Sequence, residues 1–244
     1  MKLHYFQSGF NYSQDGPGNR LVYHLQGCNM RCPWCANPEG IPPHEARLCG
    51  DPQGKAASTE ITELIAYAQS CTPMFFDGGG VTLTGGEPTM QYEAIAAFLT
   101  GLKTVGINTA VETNGTHPSL PALFDIIDHL MIDFKHPDDI AHKQLTGMSN
   151  VQVKRNIEAA AAQQTPILVR LLLLHRHNTQ HLQGYLDYFT ALDTSHITFE
   201  FLRYHEFGRE KRESYTFPSA FVPDKTLLKF TQAFAQAGLE IVRT

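Results

Sequence analysis

The sequence predicts an α/β fold, a mainly parallel sheet with covering helices. Three observations predict it. Strand-like and helix-like hydrophobic periods alternate about six times, hydrophobic residues make up 42% of the 244, enough for a sizeable core, and no composition shift marks a domain boundary. Residues 1–244 are therefore read as one domain, with the N-terminal elements 1–20 and the C-terminal helix included.

The elements follow in order. Residues 21–25, Leu-Val-Tyr-His-Leu, read as a strand. Ile61, Leu64, Ile65 and Ala68 fall on one helical face, at offsets of three, four and seven. Residues 81–84 form a short strand, and Ile95, Phe98, Leu99 and Leu102 repeat the helical face as core. Residues 108–113 read as a third strand, with a helix near 118–127. Residues 130–134 read as the fourth, with helical stretches from 138 to about 163. Residues 167–174 are the fifth, with a helix near 180–192. Residues 197–202 are the sixth, with a helix over about 224–237. Gly238 then serves as the stop, because glycine readily takes the left-handed conformation at a helix end. Residues 239–242 read as one more short strand. The stretch 37–58 is rich in Pro and Gly and reads as a long loop, a length that is usually functional or mobile.

Bulk properties exclude several function classes. The net charge of −5 gives no electrostatic reason to bind nucleic acid or an anionic membrane. No run reaches the roughly 18 apolar residues of a membrane span. Residues 1–14 are polar and aromatic and lack the apolar run of a signal peptide. The expected location is the cytoplasm. Three of the five cysteines crowd into eight residues. In a reducing compartment that spacing points to metal or redox chemistry, not to disulfides.

The strongest motif is Cys28-Asn29-Met30-Arg31-Cys32-Pro33-Trp34-Cys35. Thiolates are the soft ligands of iron–sulfur clusters. Three of them on a tight loop hold three irons of a cubane and leave the fourth open to a substrate, as catalytic zinc sites keep one position open. The competing readings are a zinc knuckle or a chance group of buried cysteines. A knuckle asks for a fourth Cys or His at matching spacing, and the nearby candidates, His44 and Cys49, make no second paired motif.

The C-x3-C-x2-C spacing resembles the signature of the radical S-adenosylmethionine (SAM) superfamily. Its surroundings narrow the likeness: Asp15-Gly16-Pro17-Gly18-Asn19-Arg20 upstream, Gln26-Gly27 before the first cysteine, then Asn37-Pro38-Glu39. Together these resemble the glycyl-radical enzyme activases. The likeness continues through residues 78–88, 112–115, 133–135 and Tyr204-His205-Glu206, over most of the chain. The family fold is a partial (β/α)6 TIM-like barrel, matching the six strands counted. The cysteine triplet, Gly85-Gly86-Glu87, Glu112-Thr113-Asn114, Asp133-Phe134-Lys135 and His205 fall at or just past the carboxyl ends of predicted strands, where parallel α/β barrels gather functional groups, and Arg170 lies within the fifth.

The resemblance implies one [4Fe–4S] cluster on Cys28, Cys32 and Cys35. It implies SAM contacts from Trp34, Cys35, Ala36, Gly85, Gly86, Glu87, Asp133, Phe134, Lys135, Arg170 and His205. The paired glycines let backbone approach a ligand closely, and in the family this edge meets the SAM amino group at Gly86. Alone, a Gly-Gly-Glu reads equally as a simple turn. Asp133 and Lys135 sit two apart on a strand and point to one face. Charges on a buried strand are costly unless paired or ligand-bound. The family places the acid by the ribose and the lysine by the methionyl carboxylate. Arg170 is the same kind of anomaly, and an internal ion pair with Glu200 is the competing reading. Glu112, Thr113, Met131 and Asp133 match a monovalent cation site, with Glu112 where the pyruvate formate-lyase activases have Asp. Ala36 replaces their histidine and Trp34 their tyrosine. Cys49 and Cys71 are read as ordinary thiols, and the remaining histidines, including His175, His177 and His181, as mostly surface residues.

The activity so implied is reductive cleavage of SAM, followed by hydrogen abstraction from a glycine of a partner glycyl-radical enzyme. Flavodoxin or ferredoxin would be the reductant, anaerobic conditions the setting, a monomer the expected state, and the 15–20 loop the surface that meets the target. The alternatives are a radical SAM enzyme acting on a small molecule, such as a carboxy-deazaguanine synthase, and a zinc-bearing binding module.

Overall fold

Parallel pairing dominates the computed structural model of the chain, which describes residues 1–43, 57–211 and 215–242. The chain forms two compact units. One holds residues 1–29, 37–113 and 122–130, and the other holds 30–36, 114–121 and 131–244.

In the first unit, β1 (Lys2–Tyr12) runs antiparallel to β2 (Asn19–Leu25), with a bulge between Tyr5 and Gln7. The short β3 (Ala57–Glu60) lies antiparallel on the other side of β1, and leads into α1 (Ile61–Ser70). Of the predicted face, Ile61, Leu64 and Ala68 are buried and Ile65, at its edge, is half-buried. β4 (Gly80–Gly85) pairs parallel with β2, from Arg20↔Gly80 to Leu25↔Gly85. α2 (Tyr92–Thr104) buries Ile95, Phe98, Leu99 and Leu102 completely. β5 (Thr109–Thr113) pairs parallel with β4.

The helix expected over 118–127 is instead a 3-10 segment, Leu120–Ile126. The tighter turn suits so short a connection. β6 (His129–Asp133) begins in the first unit and ends in the second.

The second unit continues with α3 (Asp139–Thr146) and α4 (Val151–Ala162). Asp138 caps α3 by accepting from the Ala141 N–H at 2.8 Å, and Gly147 ends it at φ 84°. β7 (Ile167–Leu173) and β8 (Ile197–Arg203) pair parallel over seven residues, with α5 (Leu182–Phe189) between them. After α6 (Asp224–Gln236), Gly238 turns the chain at φ 78° into β9 (Glu240–Ile241), parallel to β8. Phe189 is fully buried at the centre, with its ring 5.2 Å from Phe134 and 4.7 Å from Phe199. Each such buried ring contributes about 1.5–3 kcal/mol.

The six strands read from the sequence are therefore all present. β1 and β3 are additions to that reading.

Candidate active site

The first unit supplies Cys28, the Gly85-Gly86-Glu87 edge and the 15–20 loop. Cys28 is the third residue after β2, and its N–H donates to Ile41 O at 3.1 Å. Gly85 sits at φ 113°, and a Cβ there would lie 2.4 Å from Leu25 N. A Cβ on Gly86 would lie 2.2 Å from Gly27 O and 2.6 Å from Gly40 O. Both positions thus demand glycine, because neighbouring backbone fills the space. The Gly86 N–H donates to Leu25 O at 2.9 Å, so what Gly86 can offer a ligand is its carbonyl oxygen, an acceptor suited to an ammonium group.

Glu87 is 1% exposed. Its Oε1 accepts from the Thr89 N–H at 3.0 Å, the Thr89 hydroxyl at 2.6 Å and the Thr113 hydroxyl at 2.6 Å. This carboxylate fastens the β4 edge to the end of β5. Glu112 accepts from the Thr84 hydroxyl at 2.8 Å.

Arg20 organises the 15–20 loop. It is fully buried, and all five of its N–H groups have acceptors. Nε donates to Thr82 Oγ1 at 2.7 Å, one terminal nitrogen to Pro17 O and Gly78 O, and the other to Val81 O and Asn108 O. Burial pulls the guanidinium down to about 10, against the charges of Asp128 and Asp15, which leaves it a cation at neutral pH. The loop turns at Gly18, where a Cβ would lie 2.3 Å from Phe76 O.

The second unit holds Cys32, Cys35, the end of β6 and the loop after β8. The Cys35 N–H donates to Cys32 O at 3.2 Å and closes a tight turn. Trp34 is buried, its ring 5.5 Å from Phe217. Lys135 Nζ donates to Asp133 Oδ2 at 2.8 Å. Burial acts to raise the Asp133 pKa, but Lys135 and Arg170 outweigh it and hold the carboxyl below its usual value. Arg170 Nε lies 3.2 Å from Glu200 Oε2, its register partner on β8. The internal ion pair weighed from sequence is thus present. His205 is half-buried and stacks on Phe207 at 3.9 Å, and burial lowers its pKa.

Sequence reasoning missed two residues that hold Lys135 in place. Asn178, fully buried, donates to Lys135 O at 3.1 Å and Leu172 O at 2.8 Å and accepts from the Leu174 N–H at 2.7 Å. The Tyr185 hydroxyl also donates to Lys135 O, at 3.1 Å. The histidines also differ from expectation. His136 and His142 are fully buried, and His175, His177 and His181 are half-buried. His177 stacks on Phe217 at 4.7 Å and His181 meets His136 edge-on at 4.5 Å, so aromatic packing takes them off the surface. Cys71 is a buried thiol. His44 and Cys49 lie outside the described residues.

The donor set suits an iron–sulfur cluster: Cys28, Cys32 and Cys35 are all outside disulfides. Among the described residues no three His, Cys, Asp or Glu side chains are grouped to hold a metal ion. A cubane does not ask for such convergence, because each thiolate binds a different iron. Among those residues, no helix is long and apolar enough to cross a membrane.

Comparison with known proteins agrees with these features. A sequence profile described as Radical SAM superfamily matches residues 22–189. The chain is 30% identical over 217 residues to the pyruvate formate-lyase 1-activating enzyme of Escherichia coli K12, covering 86% of this chain and 83% of that one. It is 30% identical over 216 residues to the pyruvate formate-lyase-activating enzyme of Staphylococcus epidermidis, covering 84% and 82%. Among solved structures, Streptococcus suis SuiB bound to its precursor peptide SuiA superposes with a TM-score of 0.67 at 13% identity, covering 90% of this chain and 47% of that one. A domain of the pyruvate-formate lyase-activating enzyme of Bacteroides vulgatus superposes with a TM-score of 0.56 at 23% identity, covering 68% and 98%. The fold is the α/β, partial TIM-like barrel class expected from sequence. The chain belongs to the radical SAM superfamily, in the family of its pyruvate formate-lyase-activating relatives.

Proposed function

We propose that residues 1–244 form one radical SAM core that activates a glycyl-radical enzyme, with a pyruvate formate-lyase-like protein as substrate. The observation that carries this reading is the 30% identity to activating enzymes over 86% of the chain. Cys28, Cys32 and Cys35 hold one [4Fe–4S] cluster, which when bound supplies the electron that cleaves SAM reductively and so provides the radical for hydrogen abstraction from glycine. Flavodoxin or ferredoxin reduces it, in an anaerobic cytoplasm, and the activase works as a monomer.

The chain's own residues bind, orient and exclude water. The Gly86 carbonyl accepts from the SAM ammonium, on an edge that Glu87 keeps rigid. Lys135 takes the methionyl carboxylate. Asp133, ionised at neutral pH beside two cations, accepts from the ribose hydroxyls. Trp34, Cys35, Ala36, Gly85, Phe134 and His205 line the cosubstrate, and Arg170 lends its charge while paired with Glu200. Glu112, Thr113, Met131 and Asp133 offer oxygen ligands to a monovalent cation. The 15–20 loop, pinned by Arg20, presents a fixed surface to the target glycine.

The test is anaerobic incubation of the reconstituted protein with SAM, dithionite and a pyruvate formate-lyase, followed by electron paramagnetic resonance (EPR). The expected result is a glycyl radical on the lyase that appears only when all components are present. SAM cleavage without any such radical, across a panel of glycyl-radical enzymes, refutes the activase reading and leaves the superfamily standing.

A further inference from the structure

We propose that Gly208 and Lys211, in the loop after β8, are positioning residues for Cys35, and that contact with Cys35 is what makes residue 208 a glycine. This rests on the reading of Cys35 as a cluster ligand.

Three consecutive residues of the cysteine loop are gripped by one later segment. The Trp34 ring packs on Phe217 at 5.5 Å, and Phe217 is itself backed by His177 at 4.7 Å and Tyr204 at 6.1 Å. A Cβ built on Gly208 would lie 1.9 Å from Cys35 O, 2.9 Å from its carbonyl carbon and 3.3 Å from Ala36 Cα. Lys211 Nζ donates to Ala36 O at 3.0 Å.

The Gly208 contact separates two reasons for glycine. Gly208 is not among the residues with positive φ, so its backbone conformation is open to any amino acid. Only the space is closed, and it is closed by main chain, which cannot swing aside as a flexible side chain could. The Arg209 N–H donates to Glu206 O at 2.9 Å, and the Arg209 guanidinium lies 3.0 Å from Glu206 Oε2. A side chain at 208 therefore moves the Cys35 backbone. Cys35 is tied in turn to Cys32 by the 3.2 Å hydrogen bond that closes their turn. Shell residues of this kind set ligand orientation, and losing one typically costs 10–100-fold in affinity or activity.

The experiment compares Gly208→Ala with Gly9→Ala, the same change where a Cβ meets nothing within 4 Å. The Lys211→Met and Lys211→Arg pair accompanies it. Readouts are iron and sulfide content, the SAM dissociation constant, the EPR spectrum of the reduced protein with SAM, and iodoacetamide labelling of Cys35 in metal-free protein. Gly208→Ala is expected to keep parental iron, bind SAM about tenfold more weakly, change the EPR spectrum and change the labelling rate at Cys35. Lys211→Met should do the same to a lesser degree, with Lys211→Arg restoring SAM affinity. A Gly208→Ala protein that melts lower yet matches Gly9→Ala in SAM affinity, spectrum and labelling overturns the proposal, because glycine is then needed for stability alone. If Gly208→Ala does not fold, parental SAM affinity in Lys211→Met overturns it. A parent protein that takes up no iron refutes the cluster reading instead.

Discussion

Arg20→Met tests whether a buried cation bonded to hydroxyl and carbonyl oxygens holds the first unit's loops together. The substitution keeps most of the side-chain volume and removes five donors. Three of their acceptors, Pro17 O, Gly78 O and Asn108 O, lie near the surface, where water can replace the lost donor. The other two, Thr82 Oγ1 and Val81 O, are buried. A buried acceptor left dry costs about 1–3 kcal/mol, so the loss is about 4 kcal/mol. For a chain of this length each kcal/mol moves Tm by about 2–4 °C, giving a drop of about 8–16 °C. Arg20→Lys keeps the charge but brings three donors instead of five and no planar fork, so about 2 kcal/mol and 4–8 °C are expected. The assay is thermal unfolding of metal-free protein at pH 7, followed by circular dichroism. An Arg20→Met protein melting within about 2 °C of the parent would show that the five hydrogen bonds contribute nothing net and that Arg20 does not fix the 15–20 loop.

Cys32→Ala should hold little iron after anaerobic reconstitution and cleave no SAM, and parental cleavage would free the triplet from its assigned role. Lys135→Met should keep parental iron content while SAM affinity falls about tenfold by calorimetry, the loss of one hydrogen bond to a charged group. Asn178→Ala unties the carbonyl of Lys135 from the end of β7, so SAM affinity should fall in a protein that still assembles its cluster; a lower Tm with unchanged affinity would confine Asn178 to stability. His136 and His142 are fully buried, and burial lowers both pKa values. Below about pH 6.5 the unfolded chain takes up protons that the folded one refuses, so stability is intact above that pH and falls on acidification, by up to about 1.4 kcal/mol per pH unit for each histidine. Urea titrations at pH 7.5, 6.5 and 5.5 should show the decline, and His142→Gln should make it shallower.

Much of the fold was legible because hydrophobic period is a local property. The faces Ile61-Leu64-Ala68 and Ile95-Phe98-Leu99-Leu102 each repeat at helical spacing, and each is buried. β1 was missed because its outer half has no such signal. Beyond the bulge after Tyr5, Gln7, Ser8, Gly9 and Phe10 are all exposed, so no alternation survives to be read. β3 is four residues, Ala-Ser-Thr-Glu, at the end of a stretch whose Pro and Gly content reads as loop. Its pairing with β1 is a tertiary fact that four residues cannot announce. The 3-10 segment near residue 120 reads as α-helix for a related reason, since both use the same apolar residues and differ in how tightly they turn.

The candidate site divides along the same line. Residues whose chemistry conflicts with their neighbours stand out in a sequence: three thiols in eight residues, Arg170 amid aliphatics, Asp133 and Lys135 on a buried strand. Residues that resolve such conflicts do not stand out. Asn178 reads as one more polar loop residue until its amide is seen serving three backbone groups from two strand ends. Glu87 reads as the tail of a glycine motif, yet its carboxylate is consumed by two threonines. Gly208 carries no side chain at all, and its constraint is the position of a carbonyl 173 residues earlier in the chain. A buried polar group has to be satisfied, and the partner that satisfies it is chosen by the fold. Substitutions at the three thiols should therefore abolish chemistry outright, and one at Lys135 should weaken SAM binding by removing a direct contact. Those at Asn178, Glu87 and Gly208 should instead leave every ligand present and place it wrongly, a defect that shows in SAM affinity and spectra before it shows in iron content.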